Sequence, residues 1–195
     1  MAPGRPDSFA ALAASAVEGR DYRIVVQRRA GARAAVLAPH GGGIERDTSA
    51  VARLVAGEEL HLYLFEGLLP AHNHERLHLT SHCFDEPRCL ALLAEADQVI
   101  AVHGCALPEA RALLGGRDEA LKAALAAALR DAGLDVETDG HRFPGLHPDN
   151  VCNRGRSGRG VQLELSDRLR DADLRGPVAA AVRAALGLGR RGLAA

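Results

Sequence analysis

Residues 34–45 read AAVLAPHGGGIE. The run Ala34–Ala38 is apolar and short, as a strand buried on both faces requires. It stops at Pro39-His40, turns through Gly41-Gly42-Gly43 and continues into Ile44-Glu45. Glycines let a backbone turn sharply and bring side chains or ligands close to it. Two potential metal ligands, His40 and Glu45, therefore bracket a turn at the C-terminal end of a buried strand. Open α/β sheets usually carry their chemistry there.

Working outward, Gln98–Val102 (QVIAV) is a second buried strand, and it too ends in His103-Gly104-Cys105. Neighbouring parallel strands set their C-terminal ends side by side, so His40 and His103 are expected to meet, with Glu45 folding back across the glycines. Two histidines and a carboxylate, with one position left for water, make up a hydrolytic zinc site. Nearer the C-terminus, VQLEL (161–165) places Gln162 and Glu164 on one strand face and Val161, Leu163 and Leu165 on the other. A carboxylate inside an apolar strand is costly unless it is paired or used. Glu164 is then either a general base facing the metal or an ordinary polar residue of a half-exposed edge strand. The loop NRGRSGRG (153–160) sets Arg154, Arg156 and Arg159 among glycines. Arginine forks match carboxylates bidentately, and no aromatic side chain is present there to stack bases. The reading is therefore carboxylate or phosphate binding. His82, in SHCFDEP, stands near a strand end as a further substrate or supporting contact, whereas His72 and His74 of AHNHE read as a surface loop. HGGG without a GxSxG elbow excludes the lipase arrangement, and no GxxxxGK[ST] phosphate loop occurs.

The remaining pattern alternates strands and helices. Strands are expected at Tyr22–Arg29, in a hairpin with Ala34–Ala38, and at Leu60–Phe65, Leu77–Thr80, Leu134–Thr138 and Val161–Leu165. Helices are expected at Phe9–Glu18, Ser49–Ala56 behind Asp47-Thr48-Ser49 caps, from Asp85-Glu86-Pro87 to Ala96, at Glu119–Ala132 and from Pro177. The expected fold is a single-domain three-layer α/β/α sandwich with a mixed, mostly parallel sheet.

At 195 residues the chain suits one catalytic domain, with loose tails at 1–8 and 189–195. Aromatic residues make up only 3%, so the core must rest on Leu, Val, Ile and Ala. The net charge of −1 gives no bulk attraction for nucleic acid. Cys83, Cys89, Cys105 and Cys152 form no CxxC pair, which argues against a structural zinc site. No secretory h-region and no membrane-length apolar run occur. The expectation is a cytoplasmic protein with reduced thiols that does not enter membranes; release by lysis is compatible with the same sequence.

APHGGGIE, LTSHCFDEP, VIAVHGC and CNRGRSGRGVQLELS, in this order and spacing, resemble the poly-γ-glutamate hydrolases, a bacterial and phage family long labelled as phage-related replication protein. The match runs from about Tyr22 to Val182. The resemblance implies a compact relative of the zinc carboxypeptidase and N-formylglutamate amidohydrolase fold. It implies one zinc ion held by His40, Glu45 and His103, Glu164 as the base, and cleavage of γ-glutamyl amide bonds. Arginines at 154, 156 and 159 would suit a carboxylate-rich peptide or polymer. Carboxypeptidases space two ligands as HxxE; here three glycines and Ile44 separate His40 from Glu45, so the metal turn is longer. The alternatives are a deacylase of small acyl- or formyl-glutamates and a non-catalytic phage-type protein binding nucleic acid or metal.

Overall fold

A computed structural model describes residues 6–189. The chain forms seven strands: β1 (Tyr22–Gln27), β2 (Ala34–Gly42), β3 (His61–Gly67), β4 (Gln98–Cys105), β5 (Arg111–Gly116), β6 (Asp135–Glu137) and β7 (Val161–Ser166). They make one sheet in the order β1-β3-β2-β4-β7-β5-β6. The central run β3-β2-β4-β7 is parallel; β1 runs antiparallel to β3, and β5 antiparallel to β7. The sheet is mixed and mostly parallel, in an α/β/α arrangement.

Strand alternation sends two sets of side chains to opposite faces. Val36, Ile100, Val102, Leu163 and Leu165 face helices α2 (Thr48–Ala56), α5 (Glu119–Asp131) and α7 (Arg175–Ala185). Leu37, Tyr63, Phe65, Val99 and Ala101 face α1 (Phe9–Ala13), α3 (Asn73–Leu77) and α4 (Pro87–Leu93), together with the loops between them. In α5, Leu121, Leu125 and Leu129 are all buried, as their spacing of four predicts. Glu86 caps α4 by accepting a hydrogen bond from the Cys89 amide, and Pro87 sits in its first turn.

Three expectations change, and one strand is added. β1 does not form a hairpin with β2. Both edges of β2 are taken by β3 and β4, so β1 occupies the free outer edge of β3. The segment Leu77–Thr80 is not a strand. Its period-two pattern arises because Leu77, the last residue of α3, and Leu79 are both buried in the core without a ladder. Arg111–Gly116 forms β5, although its sequence shows no clear strand pattern; its terminal Gly116 at φ 103 crosses so close to Gly160 that no Cβ fits. The first helix is short, ending at Ala13, and Ser8 caps it, so residue 8 is structured rather than part of a loose tail. The expected tails at 1–8 and 189–195 otherwise fall mostly outside the described residues. No helix among the described residues is long and apolar enough to cross a membrane. All four cysteines are free thiols.

Candidate active site

The site is built at the C-terminal ends of β2, β4 and β7. Along β4 and β7, His103 pairs with Glu164 in register, so the two side chains leave the sheet on the same face. His40 reaches that face through an irregularity. Ala38 pairs with Leu64 but Gly41 with Glu66, so β2 carries one extra residue between them. A bulge of this kind re-aims the side chains beyond it, and Pro39, which lacks an amide proton, sits in it. Without the bulge, strand parity would send His40 toward α2.

The glycines then return the chain. Gly42 has φ 62, and a Cβ there would lie 2.5 Å from the Gly67 carbonyl oxygen. The Glu45 amide donates to the His40 carbonyl at 2.8 Å, closing the turn. The expected Asp47 cap does not form. Asp47 adopts a left-handed backbone conformation, and the Thr48 hydroxyl instead donates to the Glu45 carbonyl at 2.8 Å, tying α2 to the turn. Beneath it, buried Arg170 bonds the carbonyls of Arg46 and Leu165 and the carboxylate of Asp167.

His40, Glu45 and His103 converge. His40 Nδ1 lies 2.9 Å from Glu45 Oε1 and 3.1 Å from His103 Nδ1, which is 3.7 Å from Glu45 Oε2. Donors on a tetrahedral zinc with bonds of about 2.0–2.1 Å stand about 3.4 Å apart, so this spacing fits. The donor chemistry fits as well. His40 Nε2 lies 2.7 Å from the Leu79 carbonyl, which can only accept, so Nε2 carries a proton and Nδ1 is the ring nitrogen turned to Glu45, able to give its lone pair to an ion held there. Orienting a ligand histidine through its other nitrogen is the usual outer-shell device of metal sites. Glu45 is fixed in turn by the Gly104 amide, which donates to Oε2 at 2.8 Å. Gly104 is confined too: a Cβ there would stand 2.7 Å from the Arg170 guanidinium carbon. His103 Nε2 is buried and has no hydrogen-bond partner among the described residues.

The electrostatics are those of two largely buried carboxylates facing two buried histidines. Burial opposes ionisation of Glu45, but the charge of His40 and hydrogen bonds from His103, His40 and His78 hold its carboxyl well below the usual range. Burial opposes protonation of His103, yet Glu45 and Glu164 outweigh it and raise the pKa. For Glu164, burial dominates and raises the pKa, assisted by Glu45 and opposed by His103 and Gln162. Next to the site, burial first and then Glu164 push the Cys105 thiol up to about 12, which disfavours its thiolate.

Glu164 is 4% exposed and held by a chain whose polarity is determined throughout. Asn150 Oδ1 accepts the Cys152 amide proton, so its Nδ2 donates to Gln162 Oε1 at 2.7 Å. Gln162 Nε2 then donates to Glu164 Oε1 at 2.8 Å. Glu164 is thus not on a half-exposed edge strand: β7 lies between β4 and β5.

A cleft of about 630 Å³ opens over these residues. His82 lines it, its ring 5.1 Å from that of His147. His74 lines it too, although AHNHE reads as a surface loop, because α3 turns that side chain inward. His78 also reaches the site, although no sequence motif marks it. Its ring stacks on His40 at 3.9 Å, and its Nε2 lies 3.6 Å from Glu45 Oε1. His40, Glu45 and His78 also hold donor atoms within 4.8 Å of one another. The alternation Leu77-His78-Leu79-Thr80 was the available signal: burying the leucines turns His78 toward the cleft.

Arg154, Arg156 and Arg159 do not line the cleft. Their loop precedes β7, so it lies at the opposite end of the parallel strands. The Arg156 amide bonds the Ala96 carbonyl at 2.8 Å, and Gly155 lies against Ala96 and Val99, at the start of β4. From Val99 to His103 the strand rises about 13 Å. Arg154 faces Asp149 and Arg156 faces Asp97, each pair 3.6 Å apart, and Arg159 is exposed.

A family model described as poly-gamma-glutamate hydrolase matches residues 7–175. The chain belongs to the poly-γ-glutamate hydrolase family. Among curated relatives, YndL of Bacillus subtilis (strain 168) is 40% identical over 153 residues, 77% of this chain and 59% of its own length. The SPbeta prophage-derived YoqZ of the same strain is 40% identical over 141 residues, 71% of this chain and 50% of its own length. The chain thus spans between half and three fifths of these relatives. The solved structure of a bacteriophage poly-gamma-glutamate hydrolase superposes with a TM-score of 0.88 at 31% identity, covering 93% of this chain and 96% of that one. The zinc-free apo structure of YndL gives 0.85 at 32% identity, with the same coverage. An N-formylglutamate amidohydrolase from Ralstonia eutropha JMP134 shares the fold, with a TM-score of 0.58 at 14% identity over 87% of this chain and 99% of that one.

Proposed function

We propose that this chain is a zinc-dependent amidohydrolase that cleaves γ-glutamyl amide bonds, with poly-γ-glutamate as its substrate. The observation that carries the reading is the convergence of His40, Glu45 and His103 beside buried, hydrogen-bonded Glu164, in a member of this family. His40, Glu45 and His103 would hold one zinc ion, and His78 stands at its rim. Zinc bound there supplies Lewis acidity, polarising the scissile carbonyl and making water nucleophilic near neutral pH. Glu164, its pKa raised by burial, takes the proton of the attacking water and delivers it to the leaving amine. The Gln162 amide holds Oε1 of Glu164 and leaves Oε2 for that transfer.

The test combines metal content with product analysis. The purified chain is expected to bind one zinc per molecule and to release γ-linked glutamate fragments from the polymer. Hydrolysis of N-formylglutamate with the polymer left intact would replace this reading with the small-amide deacylase. Absence of stoichiometric zinc would remove the mechanism.

A further inference from the structure

With the three arginines of residues 153–160 at the far end of the sheet, the cleft still holds one arginine. Arg142 lies on its wall, on the loop between β6 and the 3-10 turn Val151–Asn153. That loop is rigidly tied. His141 Nε2 donates to the Leu114 carbonyl at 3.1 Å, and the Phe143 amide donates to His141 Nδ1 at 3.2 Å. The Gly116 amide donates to the Pro144 carbonyl at 2.8 Å, and Asn153 Nδ2 donates to the carbonyls of Gly145 and His147 at 2.8 and 2.9 Å. Arg142 therefore projects from a segment whose neighbours on both sides are fixed to β5 and to buried Asn153. Its guanidinium lies over the Phe143 ring, 4.8 Å from the centroid, which restricts where the fork points.

Arg142 also lacks a carboxylate of its own. Among the described residues it makes no ion pair, whereas Arg154 and Arg156 face Asp149 and Asp97. Among the described residues, the acidic side chains on the cleft wall are Glu45 and Glu164, which are committed to the histidine cluster and to Gln162. Arg142 is exposed at the cleft wall, and a guanidinium there with no carboxylate partner among the described residues can receive a planar oxyanion from a ligand in the cleft. In a γ-linked glutamate polymer, every amide bond has a free α-carboxylate beside it.

The geometry points to Arg142 as a specificity-determining residue that grips a substrate α-carboxylate next to the scissile bond. This assignment rests on the γ-glutamyl reading proposed above. Its test measures binding to the zinc-loaded chain carrying Glu164→Gln, which leaves substrate uncut. The probes are a γ-linked glutamate trimer and the same trimer with its α-carboxylates converted to primary amides. Arg142→Gln is expected to weaken binding of the acid trimer by about 10- to 100-fold and that of the amide trimer by less than about twofold. Arg142→Lys, which keeps the charge and loses the fork, should recover part of the loss. An equal loss on both trimers, or none on either, overturns the assignment. Cleavage of the acid trimer by the otherwise unaltered chain separates the two claims. Cleavage without Arg142-dependent binding removes the subsite and keeps the activity. Arg142-dependent binding without cleavage removes the activity and keeps the subsite. Binding of neither trimer removes both.

Discussion

The two ends of the parallel strands are made of similar materials and behave in opposite ways. At the C-terminal end, three glycines at 41–43 accompany ionisable side chains that are buried and drawn together, His40, Glu45 and His103 within 3.7 Å. At the N-terminal end, three glycines at 155, 158 and 160 accompany three arginines that splay outward. The glycines at 41–43 fold the chain back onto its own strand, whereas Gly155 and Gly160 let a loop lie flat against the start of β4. Buried ionisable groups must find partners or bear a large desolvation cost. At one end they find each other; at the other, Arg154 and Arg156 find surface carboxylates and stay in water.

That contrast can be broken in graded steps. Glu164→Gln keeps the volume and the contact with Gln162 but removes the base. It should lower the rate of amide hydrolysis by about 10²- to 10⁴-fold with zinc content unchanged, read by product release and metal analysis side by side. His103→Ala should abolish stoichiometric zinc binding, while His78→Ala should retain the metal. The opposite pattern in metal analysis would make His78 the third ligand. Gln162→Leu removes a donor that lowers the Glu164 pKa. The pKa then rises further, so the acidic limb of the pH–rate profile should move to higher pH, with a rate loss of about tenfold. In the metal-free protein Glu45 and Glu164 raise the His103 pKa. As pH falls through that value the ring takes a proton that competes with the metal, so zinc affinity should fall on the acid side. Zinc titrations on either side of the ordinary imidazole value, about 6.5, read this directly. Last, Arg156→Ala and Arg159→Ala together should leave hydrolysis within about twofold and stability within about 0.5 kcal/mol, as expected for exposed groups. A large loss of activity would return substrate binding to that loop.

Much of this was legible in the chain itself. The apolar runs ending at His40 and His103 announced buried parallel strands, because only strands covered on both faces are apolar without alternation. VQLEL announced Glu164 by the cost of placing a carboxylate there. Chain direction could also have placed the arginines: a loop that enters a strand parallel to β4 must lie away from the end where β4 finishes. Sequence proximity favours a hairpin of β1 with β2, and only the filled edges of β2 exclude one.

The sequence by itself determined which side chains are available, which strands are buried and which turns need glycine, because these follow from local sterics and the cost of desolvation. Tertiary structure alone decided which of them meet. The bulge at Pro39-His40 turns His40 to the face of His103. The burial of Leu77 and Leu79 delivers His78, and the loop pinned by Asn153 carries Arg142 to the cleft. Each depends on contacts between residues far apart in the chain, and no local pattern encodes them.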